Sequence, residues 1–267
     1  MSDAGAANGP AGSSAYVQRD QPAGVPPLAL TGERTLPDVP EENYWYRRHL
    51  VVYEWIAERL AGLRVIDMAC GEGYGTAVLA RTAASAVGVD ANPEAHEHAR
   101  LRYAREGLRF ERGLVDTFAE PADAVVFLQT IEHLQDPGAV LEHFRALVGD
   151  GGCVYVSTPN VLTLAPPGQA RSGNPWHVHE YRRAEFERLC REHFSSVELY
   201  GLFHARKLRV HELALRLGWD RVHPRLGVTK LFYDRFTPAI DAADFRLRRA
   251  GEADLERALD FLAVCRA

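Results

Sequence analysis

Two acids and three glycines stand at spacings that suit a small-molecule cradle. Asp67 lies within an apolar run that stops at Cys70, Gly71, Gly73 and Gly75 follow, and a second run, Val87-Gly-Val-Asp90, ends in an acid. Glycines let the chain turn sharply and bring backbone N–H groups close to a ligand. A carboxylate at the end of the second run can accept hydrogen bonds from both hydroxyls of a ribose. The Gly-x-Gly-x-Gly spacing differs from the Gly-x-Gly-x-x-Gly of dinucleotide sites, and Asp67 would oppose a phosphate while suiting an ammonium group. Further on, Gln129-Thr-Ile-Glu-His133 follows another apolar run, and His177 lies in a Pro/Gly-rich stretch. An imidazole there can take a proton from a reacting group, His133 being the first candidate and His177 the second. Glu132, His133 and His177, with Gln129 as a weak extra donor, could instead hold Mg2+ or Mn2+, but hard cations prefer more carboxylates and this reading is the lesser one. A purely structural role, with Glu132 and His133 capping a helix and pinning a loop, remains a third possibility.

These groups need a sheet to hold them. The patterning predicts strands over 64–69, 86–90, 108–113, 123–128, 152–157 and 196–200, with helices over 76–84, 93–106, 138–147 and 183–193 between them. Alternating strands and helices make an α/β fold with a mostly parallel sheet, and ligands bind outside the carboxyl ends of such strands. Asp67, Asp90 and Gln129 all fall at those ends. Residues 41–62 read as a helix with a stripe of Tyr53, Ile56 and Leu60, and acids precede it. Residues 161–180 form a long loop carrying Trp176, His177 and His179, and loops of that length are functional or disordered. Residues 202–242 fit no sheet element and read as a mostly helical lid. An extra strand is expected over 244–248 and a closing strand over 260–265. Residues 1–28 are rich in Gly, Ala, Pro and Ser and read as a disordered tail, which leaves 29–267 as one domain.

Composition excludes several classes. With 267 residues and 46% hydrophobic content the chain can bury a proper core. A net charge of −5 and a pI near 6.1 argue against a general nucleic-acid or anionic-membrane binder, although a local basic patch is compatible with them. No apolar run reaches membrane-spanning length and no signal peptide is visible. Cys70, Cys153, Cys190 and Cys265 are far apart without a Cys-x-x-Cys pair, which fits reduced thiols in a cytoplasmic protein.

Asp67-Met-Ala-Cys-Gly-Glu-Gly-Tyr-Gly75, Val87-Gly-Val-Asp90 and Ile131-Glu-His-Leu-Gln-Asp-Pro137 together resemble the motifs of Rossmann-like S-adenosylmethionine-dependent methyltransferases. The resemblance implies a seven-stranded sheet with an antiparallel last strand and an N-terminal cap helix. It implies S-adenosylmethionine as cofactor, an ammonium- and sulfonium-bearing ligand without phosphate, held by Asp67, Ala69, Gly71, Gly73, Asp90, Ala91 and Gln129. It also implies Tyr46 or Arg47 near the methionine end of the cofactor. Where many relatives place an acid against the adenine, this chain has Leu114; the N–H groups of Leu114 and Val115, or Asp116, take that role in the expectation. A narrower resemblance rests on Thr31-Gly-Glu-Arg-Thr35, Glu42-Asn-Tyr-Trp-Tyr-Arg-Arg-His49, Ser157-Thr-Pro-Asn160, Asn174-Pro-Trp-His177, Gly201-Leu-Phe-His204 and Ala243-Asp-Phe245. These stretches resemble actinobacterial methyltransferases associated with methylglucose lipopolysaccharide. That kinship implies O-methylation of a glucose hydroxyl on a glucan or a glucose-containing intermediate, with a small-molecule or oligosaccharide acceptor as partner and Trp176, Phe203 and Trp219 available to stack on pyranose faces. A phenol, a quinone precursor or a natural product is the alternative acceptor.

Overall fold

A computed structural model describes residues 16–32, 34–166 and 168–267. Its centre is an eight-stranded sheet in the order β3-β2-β1-β4-β5-β8-β6-β7. In chain order the elements are α1 (Asn43–Ala57), β1 (Arg64–Met68), α2 (Tyr74–Leu79), β2 (Ser85–Asp90), α3 (Pro93–Tyr103), β3 (Leu108–Arg112) and β4 (Ala124–Leu128). There follow α4 (Pro137–Val148), β5 (Cys153–Pro159), α5 (Val161–Leu164), α6 (Arg183–His193), β6 (Ser196–His204), α7 (Arg206–Arg216), α8 (Trp219–Arg225), α9 (Thr229–Phe236), β7 (Phe245–Arg249) and β8 (Asp260–Arg266). Strands β1 to β5 run parallel, β8 runs antiparallel between β5 and β6, and β7 pairs antiparallel with β6.

The central strand β4 is apolar and buried throughout because helices cover both faces, whereas the edge strand β3 buries only Leu108 and Phe110. On one face Phe127, Phe144, Phe186 and Phe261 join α4 and α6 to the sheet, and on the other Ile56, Leu60, Leu79 and Leu262 seat α1 and α2. Each fully buried side chain of this size contributes roughly 1.5–3 kcal/mol over an exposed one. Helix α3 starts cleanly because the Asn92 side chain accepts from the N–H groups of Glu94 and Ala95 and Pro93 presets the first turn.

Several expectations change. The sheet has eight strands rather than seven, because residues 245–249 do form the extra strand and take the edge. The closing strand, β8, is an interior strand. Residues 202–204 belong to β6, so the helical segment expected from residue 202 begins only at α7. The helix expected over 76–84 ends at Leu79, and the one expected to Glu106 ends at Tyr103. The cap helix is shorter than 41–62, since Pro40–Glu42 is a 3-10 turn and regular helix stops at Ala57.

The expected tail is also corrected in part. Residues 1–15 lie outside the described residues, but 16–28 are held against the domain. Val17 bridges Ala29, and the buried Gln18 side chain binds the Leu28 N–H (3.1 Å), the Pro37 carbonyl (3.2 Å) and Glu72 (3.0 Å). Composition misled here because two buried side chains, Val25 and Leu28, and the hydrogen bonds of Gln18 suffice to fix this strap.

All four cysteines are buried free thiols. Among the described residues no helix is long and apolar enough to cross a membrane. A buried ion pair joins α1 to β8. Arg48 donates from Nε to Asp260 (2.7 Å) and from its terminal nitrogen to the Leu259 carbonyl (2.9 Å), and both side chains are about 5% exposed or less. Removing one member leaves a buried unpaired charge, so Arg48→Met should lower stability by about 3–5 kcal/mol. Urea unfolding would show it, and a loss near zero would contradict the reading.

Candidate active site

The glycine turn between β1 and α2 is shaped by left-handed backbone at Ala69 (φ 56°), Gly71 (φ 57°) and Gly73 (φ 98°). Its glycines serve different ends. A Cβ on Gly71 would meet nothing closer than 3.8 Å, so this position leaves room beside the chain. A Cβ on Gly75 would lie 2.2 Å from the Tyr53 ring, and one on Gly73 would lie 2.7 Å from the Ala99 Cβ. Those two glycines let α1 and α3 pack tightly against the turn.

Asp90 closes the turn from the side. Its carboxylate accepts from the Gly71 N–H (2.8 Å) and from the Asn92 N–H (2.8 Å), one on each oxygen. A carboxylate has about four acceptor positions, so one remains on each oxygen for a pair of adjacent hydroxyls. Asp67 lies beneath the turn instead of in the open. It is fully buried and accepts from the hydroxyls of Thr76 (2.7 Å) and Tyr53 (3.3 Å). Burial outweighs those bonds and pushes its carboxyl up to about 7. A cation placed above it would favour the ionised form.

The other expected cofactor residues surround this turn unevenly. Tyr46 sets its ring edge-on to Tyr74, the first residue of α2, at 5.0 Å, while Arg47 lies over Tyr46 and bonds Asn43 (3.2 Å). Thus Tyr46 reaches the turn and Arg47 braces it. The Ala91 carbonyl accepts from Arg112 (3.3 Å). Leu114 is 56% exposed, and its carbonyl closes a turn by accepting from the Thr117 and Phe118 N–H groups. Val115 packs partly into the core and Asp116 is exposed. Gln129 takes a left-handed φ of 52°, and its amide donates to the Ser157 hydroxyl (3.0 Å), which fixes the end of β4 against β5.

Glu132, His133 and His177 come together. Their nearest ligand atoms all lie within 4.8 Å of one another, and the two imidazole rings sit edge to face at 5.0 Å. The loop is held to the turn after β4 by the Glu132 carbonyl, which accepts from the Val178 (2.9 Å) and His179 (3.1 Å) N–H groups. Glu132 itself is buried, bonds the Thr158 hydroxyl (3.0 Å), and is pushed up to about 8, chiefly by burial. His133 Nδ1 lies 2.8 Å from the Trp176 carbonyl. A carbonyl can only accept, so Nδ1 carries the proton and Nε2 the lone pair. His177 Nδ1 faces Glu180 (2.8 Å) and its Nε2 faces the Asn174 amide (3.0 Å). Burial tends to raise the Glu180 carboxyl, but the Ser172 and His177 hydrogen bonds hold it below the usual range.

As a cation site the trio is nitrogen-rich, which suits Mn2+ or Zn2+ better than Mg2+. Ligation by His177 would cost it the bond to Glu180 or to Asn174. Sequence reading missed Tyr53, Thr76, Ser157 and Glu180, whose hydroxyl and carboxyl groups anchor the named residues. It also missed Glu72. Buried between two motif glycines, Glu72 accepts from Gln18, His98 (2.9 Å), Arg102 (2.9 Å), Tyr103 (3.0 Å) and the Tyr74 N–H (3.1 Å). An acid there could be noticed in sequence, but its partners could not.

A parallel sheet with a glycine turn after its first strand and an acid ending its second defines a nucleoside-cofactor enzyme of the Rossmann-like class. Residues 44–213 match the family described as "Methyltransferase domain". A protein named "Probable S-adenosylmethionine-dependent methyltransferase", from Mycolicibacterium smegmatis, is 38% identical over 248 residues, 89% of this chain and 94% of that one. A ubiquinone biosynthesis O-methyltransferase from Xylella fastidiosa is 35% identical over 120 residues, 42% of this chain and 48% of that one. The fold is shared with the crystal structure of an S-adenosylmethionine-dependent methyltransferase from Thermotoga maritima, at a TM-score of 0.56 and 13% identity, over 84% of this chain and 93% of that one. The chain belongs to the class I S-adenosylmethionine-dependent methyltransferases.

Glu132 supplies a pH test. With its carboxyl raised from 4.5 to about 8 in the fold, the folded protein holds a proton there that the unfolded chain has lost. Its contribution to stability is whole below pH 4.5 and disappears as the pH rises through about 8. Cofactor-free wild type should therefore lose stability relative to Glu132→Gln across that window. Parallel stability curves for the two proteins would contradict the protonated, buried carboxyl.

Proposed function

We propose that the protein transfers the methyl group of S-adenosylmethionine to a hydroxyl of a sugar, on a glucan or an oligosaccharide. The observation that carries the chemistry is the 2.8 Å contact of His133 Nδ1 with the Trp176 carbonyl, which makes Nε2 the acceptor atom of the neutral ring. A sugar hydroxyl is a weak nucleophile and must lose its proton during attack.

When bound, the cofactor supplies an already activated methyl on a sulfonium. Asp90 takes the ribose hydroxyls, the Gly71 region receives the nucleoside beside the main chain, and the buried charge of Asp67 favours the ammonium end from below. Tyr46 borders the methionine side. Backbone N–H groups at Leu114 and Val115 offer the adenine a contact, with Asp116 the lesser partner. Gln129, turned by its left-handed φ and fixed to Ser157, separates the donor pocket from the histidines. The acceptor oxygen attacks the methyl carbon as the carbon–sulfur bond breaks, and its proton passes to His133 Nε2. His177, held by Glu180 and Asn174, stands edge-on to His133 and keeps its ring in place. This scheme needs no metal.

The sugar assignment is supported by the stretches that resemble glucose-methylating relatives and by Trp176, which is half exposed beside the histidine pair. The other two aromatics lie elsewhere: Phe203 packs on the core, and Trp219 joins His223 and Phe232 in the α7–α9 region. The similarity to a ubiquinone-pathway enzyme supports a phenol acceptor, over less than half of the chain.

Labelled methyl transfer to glucose oligosaccharides and to catechols separates the readings. The wild type should label the oligosaccharides, with or without a chelator. His133→Ala should turn over about 10²-fold more slowly or worse, with S-adenosylhomocysteine affinity unchanged. Labelling confined to catechols would remove the sugar reading, and full activity in the variant would remove the base.

A further inference from the structure

A second concave site lies at the far edge of the sheet. A cavity of about 340 Å³ is lined by Arg206, Arg209, Arg246 and Arg248, together with His204, Ala205 and Phe245. Two stretches singled out in sequence, Gly201-Leu-Phe-His204 and Ala243-Asp-Phe245, meet here as the end of β6 and the start of β7. Arg246 and Arg248 alternate along β7 opposite Phe203 and Gly201, so both side chains leave the strand on one face. Arg206 and Arg209 are three apart on α7, which also brings them to one side.

Four guanidinium groups around one hollow repel one another unless an anion offsets them. Some arginines elsewhere lie against carboxylates, as Arg64 does with Asp123, Arg102 with Asp38 and Arg191 with Glu187, and among the described residues others, such as Arg81 and Arg221, stand singly in solvent; these four converge on one hollow. Among the described residues, none of the four guanidinium groups has a hydrogen-bond or ion-pair partner. The nearby acids are already engaged: Asp244 with Lys207 (2.9 Å), and Glu212 with His204 (3.3 Å) and Arg216. The first turn of α7 carries no acid and no side-chain cap, so its N-terminal N–H groups add to the positive field. An overall charge of −5 makes this concentration of unpaired cations the more telling.

The position also matters. Strand β6 runs parallel to β4, so His204 and Gln129 sit at the same edge of the sheet. Strand β7 is four strands from β4, which puts the cavity roughly 19 Å from the histidine pair at about 4.8 Å per strand. A monosaccharide does not span that distance, whereas a short oligosaccharide does.

We propose that this cavity is an anion subsite that binds a phosphoryl group carried by the acceptor, several sugar units from the hydroxyl that is methylated. Guanidinium groups match phosphate oxygens in paired hydrogen bonds, which is why arginine is the residue chosen for such recognition. That the anion belongs to the acceptor rests on the sugar reading above; the anion site itself does not.

The test is calorimetric titration of the full chain, saturated with S-adenosylhomocysteine, at constant ionic strength in chloride. The probes are inorganic phosphate and glucose 1-phosphate. Both should bind the wild type. The double variant Arg209→Gln/Arg246→Gln should weaken both at least tenfold while S-adenosylhomocysteine affinity stays unchanged. Absence of phosphate binding, or equal binding to the variant, overturns the subsite. Binding of free phosphate with exclusion of the sugar ester overturns its assignment to the acceptor. Failure of methyl transfer to glucans, with phosphate binding intact, defeats the sugar reading and leaves the anion site standing.

Discussion

The hydrogen bond from the Gly71 N–H to the Asp90 carboxylate is the contact around which the site is arranged. It ties the turn after β1 to the end of β2, two neighbouring parallel strands whose register is set by apolar packing. With one oxygen on Gly71 and the other on Asn92, the carboxylate cannot rotate. Its remaining lone pairs are thereby aimed along the sheet edge. The left-handed turn, the close approach of α1 through Gly75 and the start of α3 at Asn92 all depend on this geometry, or support it.

Polar clusters of a second kind hold the surroundings rigid. Glu72 gathers the N-terminal strap, α2 and α3 at the back of the turn. Arg48 and Asp260 clamp α1 to β8, and Tyr53 and Thr76 clamp α1 and α2 to Asp67. On the acceptor side, the Glu132 carbonyl and the His133–Trp176 bond pin the long loop to the end of β4. A buried hydrogen-bonded network specifies one arrangement because leaving any member unpaired is costly. Methyl transfer needs such rigidity, since donor and acceptor must meet in line. The arginine-lined cavity lies outside these networks, and among the described residues its four guanidinium groups share one hollow without a carboxylate.

Much of this was legible in the sequence. The succession of strands and helices, the glycine turn, the place of Asp90 at the end of a strand and the grouping of Glu132-His133 with His177 all follow from local pattern and motif. What escaped is long-range and polar. Arg48 and Asp260 are 212 residues apart, and nothing in either neighbourhood marks them as partners. The strap reads as a tail because little apolar bulk marks it, yet Val25, Leu28 and the hydrogen bonds of Gln18 suffice to anchor it. Asp67 was expected beside the ligand, yet two hydroxyls and full burial hold it underneath. The edge strand is legible as the short alternation Phe245-Arg-Leu-Arg248, and the two arginines that make its polar face are what give that edge its charge.

The most direct measurement is a crystal structure of the complex with S-adenosylhomocysteine. The account predicts both ribose hydroxyls within hydrogen-bond distance of the Asp90 carboxylate, the adenosyl group over Gly71, and the sulfur on the side of the cleft that faces His133. A ribose away from Asp90, or a sulfur turned away from the histidine pair, would contradict it.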